Sequence, residues 1–276
     1  MNEQLNNGAY QRQASSTYGH NTGGTPYGAY DQSTYGYPTY GYQPYGYQPY
    51  NYSGEQIEHN RVPAKATPAR SLVTPTDHIL MLIDHQPQMA FAVKSHSVAE
   101  LRNNVTGLAK AGKLFKVPTI LTTVSAATFS GKIFTEIQAV FPDQKPIDRT
   151  TMNPWEDQKV INAVNSYGKR RIVMAGLWTE VCLVDPVLSA IEQGYQVYFI
   201  ADASGGVSVE AHERAVERML QAGAIPMTWL QYMLELQRDW ARKETYNGVL
   251  QIAMEHGGAY GLGVRYAGEM FGSHEG

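Results

Sequence analysis

The sequence predicts an α/β fold, a doubly wound three-layer sandwich around a central, mostly parallel sheet. Two observations carry this. Short, fully apolar β-branched runs recur through the second half of the chain, and stretches with apolar residues spaced three or four apart lie between them. Strands buried on both faces and alternating with amphipathic helices indicate a parallel sheet covered on each side. Crossovers in such sheets are right-handed, which leaves the doubly wound arrangement.

The first element is "HILMLID" (78–84), an apolar run ending in an acid. In "VAELRNNVTGLAKAGKLFK" (98–116), Val98, Leu101, Val105, Leu108, Gly112 and Phe115 share one helical face. "VPTILTTV" (117–124) opens on proline and is β-branched, as a strand would be. Further strands are expected at "KRRIVMAG" (169–176), "YQVYFIAD" (195–202) and "AIPMTW" (224–229), with helices at about 155–167, 183–193 and 209–222. The globular domain is read as 74–245. Residues 246–276 form a Gly-rich extension expected to contact a neighbouring subunit.

The N-terminus differs in kind. Residues 1–53 hold twelve of the 19 tyrosines, and their only charged side chains before residue 53 are Glu3, Arg12 and Asp31. With almost no aliphatic residues, that tail buries too little apolar surface to offset the entropy of ordering it. It is expected to be disordered, either a weakly self-associating segment or a passenger, and 54–73 reads as a linker.

Net charge is −3, so no global positive field favours nucleic acid or an anionic membrane surface. No apolar run approaches the length of a spanning helix, and no signal-peptide pattern opens the chain. The single cysteine, Cys182, cannot form an internal disulfide. A cytoplasmic protein without nucleic-acid or membrane partners is the expectation.

Ligands of open parallel sheets bind at strand C-termini, and three residues there call for an explanation. Asp84 follows the first apolar run and reads as either a cap or a functional acid. Arg149 precedes a helix start in which Asn153 suits the N-cap, Pro154 the first position and Glu156 a capping box. It is therefore placed in a loop, solvated or paired with Asp148. Pro186 is tolerated only in a first helical turn, so a helix starts close to Cys182. A thiol there faces free N–H groups and the positive helix end, which lowers its pKa and readies it as a nucleophile. The competing reading is a buried packing cysteine.

These stretches, with "LIDHQ" (82–86), "FPD" (141–143), "RTTMNPWED" (149–157), "AGLWTEVCL" (175–183) and "LSAIEQGYQVYFIADASGG" (188–206), resemble the isochorismatase-like cysteine hydrolases, and more closely their YcaC-like branch. The resemblance spans about 72–242. It implies a catalytic Asp84, Arg149 and Cys182, with Cys182 attacking a carbon and Asp84 taking and returning the thiol proton. Many members have Lys where Arg149 stands. An arginine holds its proton, so here it stabilises and orients. The resemblance further implies a cis peptide at Trp178–Thr179 that helps form an oxyanion hole with the Cys182 N–H. The reaction would be hydrolysis of a small amide, imide or related carbonyl compound through a thioester-type intermediate. A homo-oligomer is implied, with an octamer among the options.

Gln86, Phe91, Asn153 and Trp155 are candidate pocket residues. Metal-binding relatives use an Asp-x-His element that this chain lacks, so no metal and no cofactor are expected, and His85 and His212 are read as structural. A thiol-peroxidase reading of "TEVC" meets Ala175 where those proteins have proline, and no second cysteine resolves an oxidised one. A dinucleotide-binding reading fails for want of a Gly-rich turn after the first strand. The non-enzymatic alternative is an oligomeric scaffold displaying the tail.

Overall fold

A computed structural model describes residues 64–272. The tail 1–53 and the first half of the linker, 54–63, lie outside the described residues. Six strands form one sheet: β1 (His78–Ile83), β2 (Thr119–Val124), β3 (Ile147–Arg149), β4 (Arg171–Gly176), β5 (Gln196–Ile200) and β6 (Ile225–Met227). The order is β3-β2-β1-β4-β5-β6 and every pairing is parallel. β1 is buried at all six positions, as its unbroken apolar run requires.

The helices are α1 (Pro87–Ala92), α2 (Val98–Leu114), α3 (Thr135–Val140), α4 (Gln158–Tyr167), α5 (Val184–Glu192), α6 (Val209–Gln221), α7 (Trp229–Gln237), α8 (Lys243–His256) and α9 (Gly258–Phe271). Connections run outward from β1 in both directions, so right-handed crossovers place α2 on one face and α4, α5 and α6 on the other. α7 and α8 pack against α2, completing three layers.

Two elements depart from the sequence reading. β3 is a strand, where Arg149 was placed in a loop. Three residues with an exposed Asp148 at their centre give no periodicity to detect, but Thr122, Thr123 and Val124 pair with Ile147, Asp148 and Arg149. The expected domain end at 245 falls inside α8, which docks on α2. Asn103 donates to the His256 carbonyl at 2.9 Å, and Lys110 pairs with Glu255 at 2.5 Å. A glycine of the Gly-rich extension allows this close approach. A Cβ on Gly248 would lie 2.5 Å from Leu114.

The seam between α2 and α7 has the same character. A Cβ on Gly107 would stand 2.7 Å from Cζ3 of Trp229, an indole that is 4% exposed. Gly107→Val therefore overpacks this layer, and urea denaturation is expected to show a loss of about 1–3 kcal/mol. An unchanged midpoint would mean that the indole has free space to move into.

Candidate functional site

Strand order reverses direction at β1, between β2 and β4, and the strand C-termini there form the ligand crevice of this topology. Asp84 leaves β1 with φ +56, a conformation that aspartate tolerates better than most residues. Its side chain is fully buried. Oδ1 accepts from the Thr122 hydroxyl at 2.9 Å, and Oδ2 accepts from Nη2 of Arg149 at 2.5 Å. The Cys182 thiol lies beside the same carboxylate, near enough to shift its pKa. The three residues named from sequence thus meet at one point.

Arg149 is not solvated and is not paired with Asp148. Neighbouring strand residues point to opposite faces. Asp148 therefore turns outward, accepting from the Thr123 hydroxyl at 2.8 Å and the Ala126 N–H at 3.0 Å, while Arg149 turns into the site. Its Nη1 also donates to the Thr151 carbonyl.

Cys182 lies in a π-helical turn, Thr179–Leu183, that runs directly into α5. Pro186 falls in the first turn of α5, as its chemistry demands. The expected direction of the thiol pKa is overturned. Burial, the Asp84 charge and the hydrogen bond to Asp84 outweigh Arg149 and the Trp178 N–H, and push the thiol up to about 12. Proximity to a helix start did not decide the matter, because the thiol is 3% exposed and faces a carboxylate. Burial also raises Asp84 from the ordinary carboxylate value, opposed by the Arg149 charge, Thr122 and the thiol. Burial thus favours the protonated form of both groups, and the Arg149 charge opposes it for each.

The cis peptide is Leu177–Trp178, one residue earlier than the resemblance placed it. Leu177 still belongs to the sheet, donating to the Ile83 carbonyl at 3.1 Å and bridging to Gly205, so the chain reverses immediately after it. The Thr179 N–H is committed to the Gly205 carbonyl at 3.0 Å, which removes it as an oxyanion donor. The Trp178 N–H instead faces the Cys182 sulfur.

The four weaker pocket candidates are not among the residues lining the pocket over Cys182. Phe91 is 76% exposed on α1. Gln86 is buried as a clamp: its amide donates to the Gly131 and Val124 carbonyls, and its oxygen accepts from the Val124 N–H at 2.9 Å. Asn153 caps a 3₁₀ turn at Pro154–Glu156 and donates to Ser189 Oγ at 3.1 Å. Trp155 packs edge-on against Tyr195. The pocket over Cys182 has a volume of about 420 Å³. Its apolar wall is Met89, Val124, Phe129, Met152, Trp178 and Val181, and its hydroxyls come from Ser125, Ser130 and Thr150. Of these only Trp178 was singled out from sequence. Met152 lies inside the motif at 149–157, while Phe129 belongs to no recognised motif.

Both histidines set aside as structural have such partners. His85 Nε2 donates to the Ala203 carbonyl at 2.9 Å, and His212 Nδ1 bonds the Thr179 hydroxyl at 2.9 Å. Among the described residues, no three His, Cys, Asp or Glu side chains are grouped to hold a metal ion, and no helix is long and apolar enough to cross a membrane.

The sheet and its acid–arginine–thiol cluster define a class, α/β hydrolytic enzymes with a buried cysteine at the strand ends. The family model described as the isochorismatase domain matches residues 78–231. This chain belongs to the isochorismatase family of hydrolases. It is similar to the probable hydrolase YcaC of Escherichia coli K12, with 39% identity over 165 residues, 59% of this chain and 79% of that protein. Two solved structures are also similar, each with TM-score 0.69 and each covered over its full length. One is YcaC from Pseudomonas aeruginosa with hexane-2,5-diol and covalent acrylamide, 32% identical and matching 75% of this chain. The other is the Escherichia coli YcaC gene product, described as an octameric hydrolase of unknown specificity, 34% identical and matching 74% of this chain.

Burial pushes His85 down to about 4, so its imidazole is neutral in the folded protein. Below its ordinary value of 6.5 the unfolded chain takes up a proton that the folded chain refuses until about 4. Stability from this residue is thus complete above 6.5 and lost as pH falls toward 4, by about 3 kcal/mol. Urea titrations across that range should show a flatter profile for His85→Gln than for the native protein. Parallel profiles would mean that His85 is hydrated or charged in the fold.

Proposed function

We propose that this protein is a cysteine hydrolase cleaving the C–N bond of a small amide, imide or related carbonyl compound at Asp84, Arg149 and Cys182. The observation that carries the reading is the single buried carboxylate of Asp84 accepting from Arg149 and Thr122 beside the Cys182 thiol, beneath the pocket. A thiol whose pKa is pushed up to about 12 has almost no thiolate at neutral pH, so it needs a base in contact with it. Asp84 is that base.

As Sγ bonds to the carbonyl carbon, the thiol proton passes to Asp84 and the carbonyl π electrons move to oxygen. The C–N bond then breaks, Asp84 returns the proton to the departing nitrogen, and an acyl thioester remains on Cys182. Water attacks the thioester, again losing a proton to Asp84. The C–S bond breaks, that proton returns to sulfur, and the acid leaves. Arg149 keeps Asp84 ionised at the start of each half-reaction by supplying the charge that burial would otherwise forbid. The Trp178 N–H, directed at sulfur, stabilises negative charge there as the proton leaves.

The covalent acrylamide in the Pseudomonas aeruginosa relative shows an electrophilic amide attached to a protein of this fold. On this chain we assign such attachment to Cys182. We also take the protein to be a homo-oligomer, as its octameric relative is. The exposed Leu262, Tyr266 and Met270 on α9 are offered as part of the contact.

Cys182→Ala is expected to abolish both turnover of small amides and the acyl adduct seen by intact mass. Asp84→Asn should slow acylation about 10²–10⁴-fold. Arg149→Met leaves a buried carboxylate that takes up a proton, so its activity should fall at neutral pH and recover toward alkaline pH. A native pH profile in Arg149→Met would remove Arg149 from this role.

A further inference from the structure

The walls of the Cys182 pocket bear on what can enter it. Met89, Phe129, Met152, Trp178 and Val181 supply the apolar surface, and among the described residues that line the pocket none is charged. The polar groups are hydroxyls, from Ser125, Ser130 and Thr150. The Arg149 guanidinium does not line the pocket: it pairs with Asp84 and donates to the Thr151 carbonyl, with its buried Nε left without a partner. The one acid of β3, Asp148, is held outside by Thr123 and Ala126.

We infer that the substrate is an uncharged amide with an apolar substituent. This rests on the reading of Cys182 as nucleophile and names the substrate class of that same site. A ligand carboxylate or ammonium entering the pocket would lose its hydration and find no counter-charge, a cost that a neutral group escapes. Hydroxyls suit a neutral amide, because each donates to a carbonyl oxygen and accepts from an amide N–H without a fixed charge. A pocket of about 420 Å³ accepts a compound of small-molecule size, with Phe129 and Met152 at its exposed rim to cover an alkyl or aryl group.

Phe129 is 64% exposed and Met152 66% exposed, so both can be changed without opening the core. Met152 is not one of the groups that move the proton in the proposed mechanism. It therefore acts as a specificity determinant, and placing a cation there should admit an anionic substrate.

Three acrylamides of matched length test this: N-butylacrylamide, N-acryloyl-β-alanine and N-(3-aminopropyl)acrylamide. In each, the Cys182 sulfur bonds to the β-carbon as the C=C π bond breaks, and the thiol proton ends on the α-carbon. Labelling is followed by intact mass on the full chain, with rates divided by those for glutathione. The neutral probe should label at least ten-fold faster than either charged one, and Met152→Lys should raise labelling by the carboxylate probe several-fold. Equal rates, or preference for a charged probe, would overturn the inference while leaving Cys182 as the nucleophile. If no probe labels Cys182, both the nucleophile and the inference resting on it fall. Thermal shift of Cys182→Ala supplies a measure independent of reactivity: hexanamide should raise the Tm and adipamate should not, and the reverse order would refute the proposal.

Discussion

The ion pair between Asp84 and Arg149 has neither side chain exposed to solvent, and the site depends on it. A carboxylate buried alone would take up a proton rather than stay charged, and a protonated Asp84 could not serve as a base. The pair exists because β1 and β3 end at the same edge of a parallel sheet, with β2 between them contributing Thr122 to the same carboxylate. Three strands thus converge on one side chain. Replacing the pair with apolar groups would relieve a desolvation cost, so its presence is better explained by chemistry than by stability.

That carboxylate also sets the state of the nucleophile. A thiol beside a helix start is expected to be acidic, and the Trp178 N–H does favour its thiolate. Burial and a carboxylate in contact win over that effect. On the proposed mechanism the result is a concealed nucleophile, one that holds its proton until an electrophile is in place. Such a cysteine is protected from adventitious oxidation, since susceptibility follows thiolate character and exposure.

Much of this was legible in the sequence, and the parts that were not have identifiable causes. Asp84 stands at the end of an unbroken apolar run, and Pro186 constrains the helix start beside Cys182, so both could be placed from local chemistry. The partner of Arg149 could not be. Pairing with adjacent Asp148 looked natural until β3 put the two on opposite faces of a three-residue strand. The pocket walls were legible only at Trp178, because Phe129 and Met152 come from irregular segments whose direction depends on tertiary contacts such as the Gln86 clamp. The C-terminal segment read only as a Gly-rich extension, and Gly248 and Gly261 are close-packing positions, a distinction that composition alone does not make.

The central claim, that Asp84 and the Cys182 thiol share a hydrogen bond with the proton resting on sulfur, can be read from the S–H stretching band in the infrared. The chain has one cysteine, so the band is unambiguous. The account predicts an S–H band that is present at neutral pH, persists into mildly alkaline solution, and shifts in frequency in Asp84→Asn. A missing band at neutral pH, or one unmoved by that substitution, would contradict it.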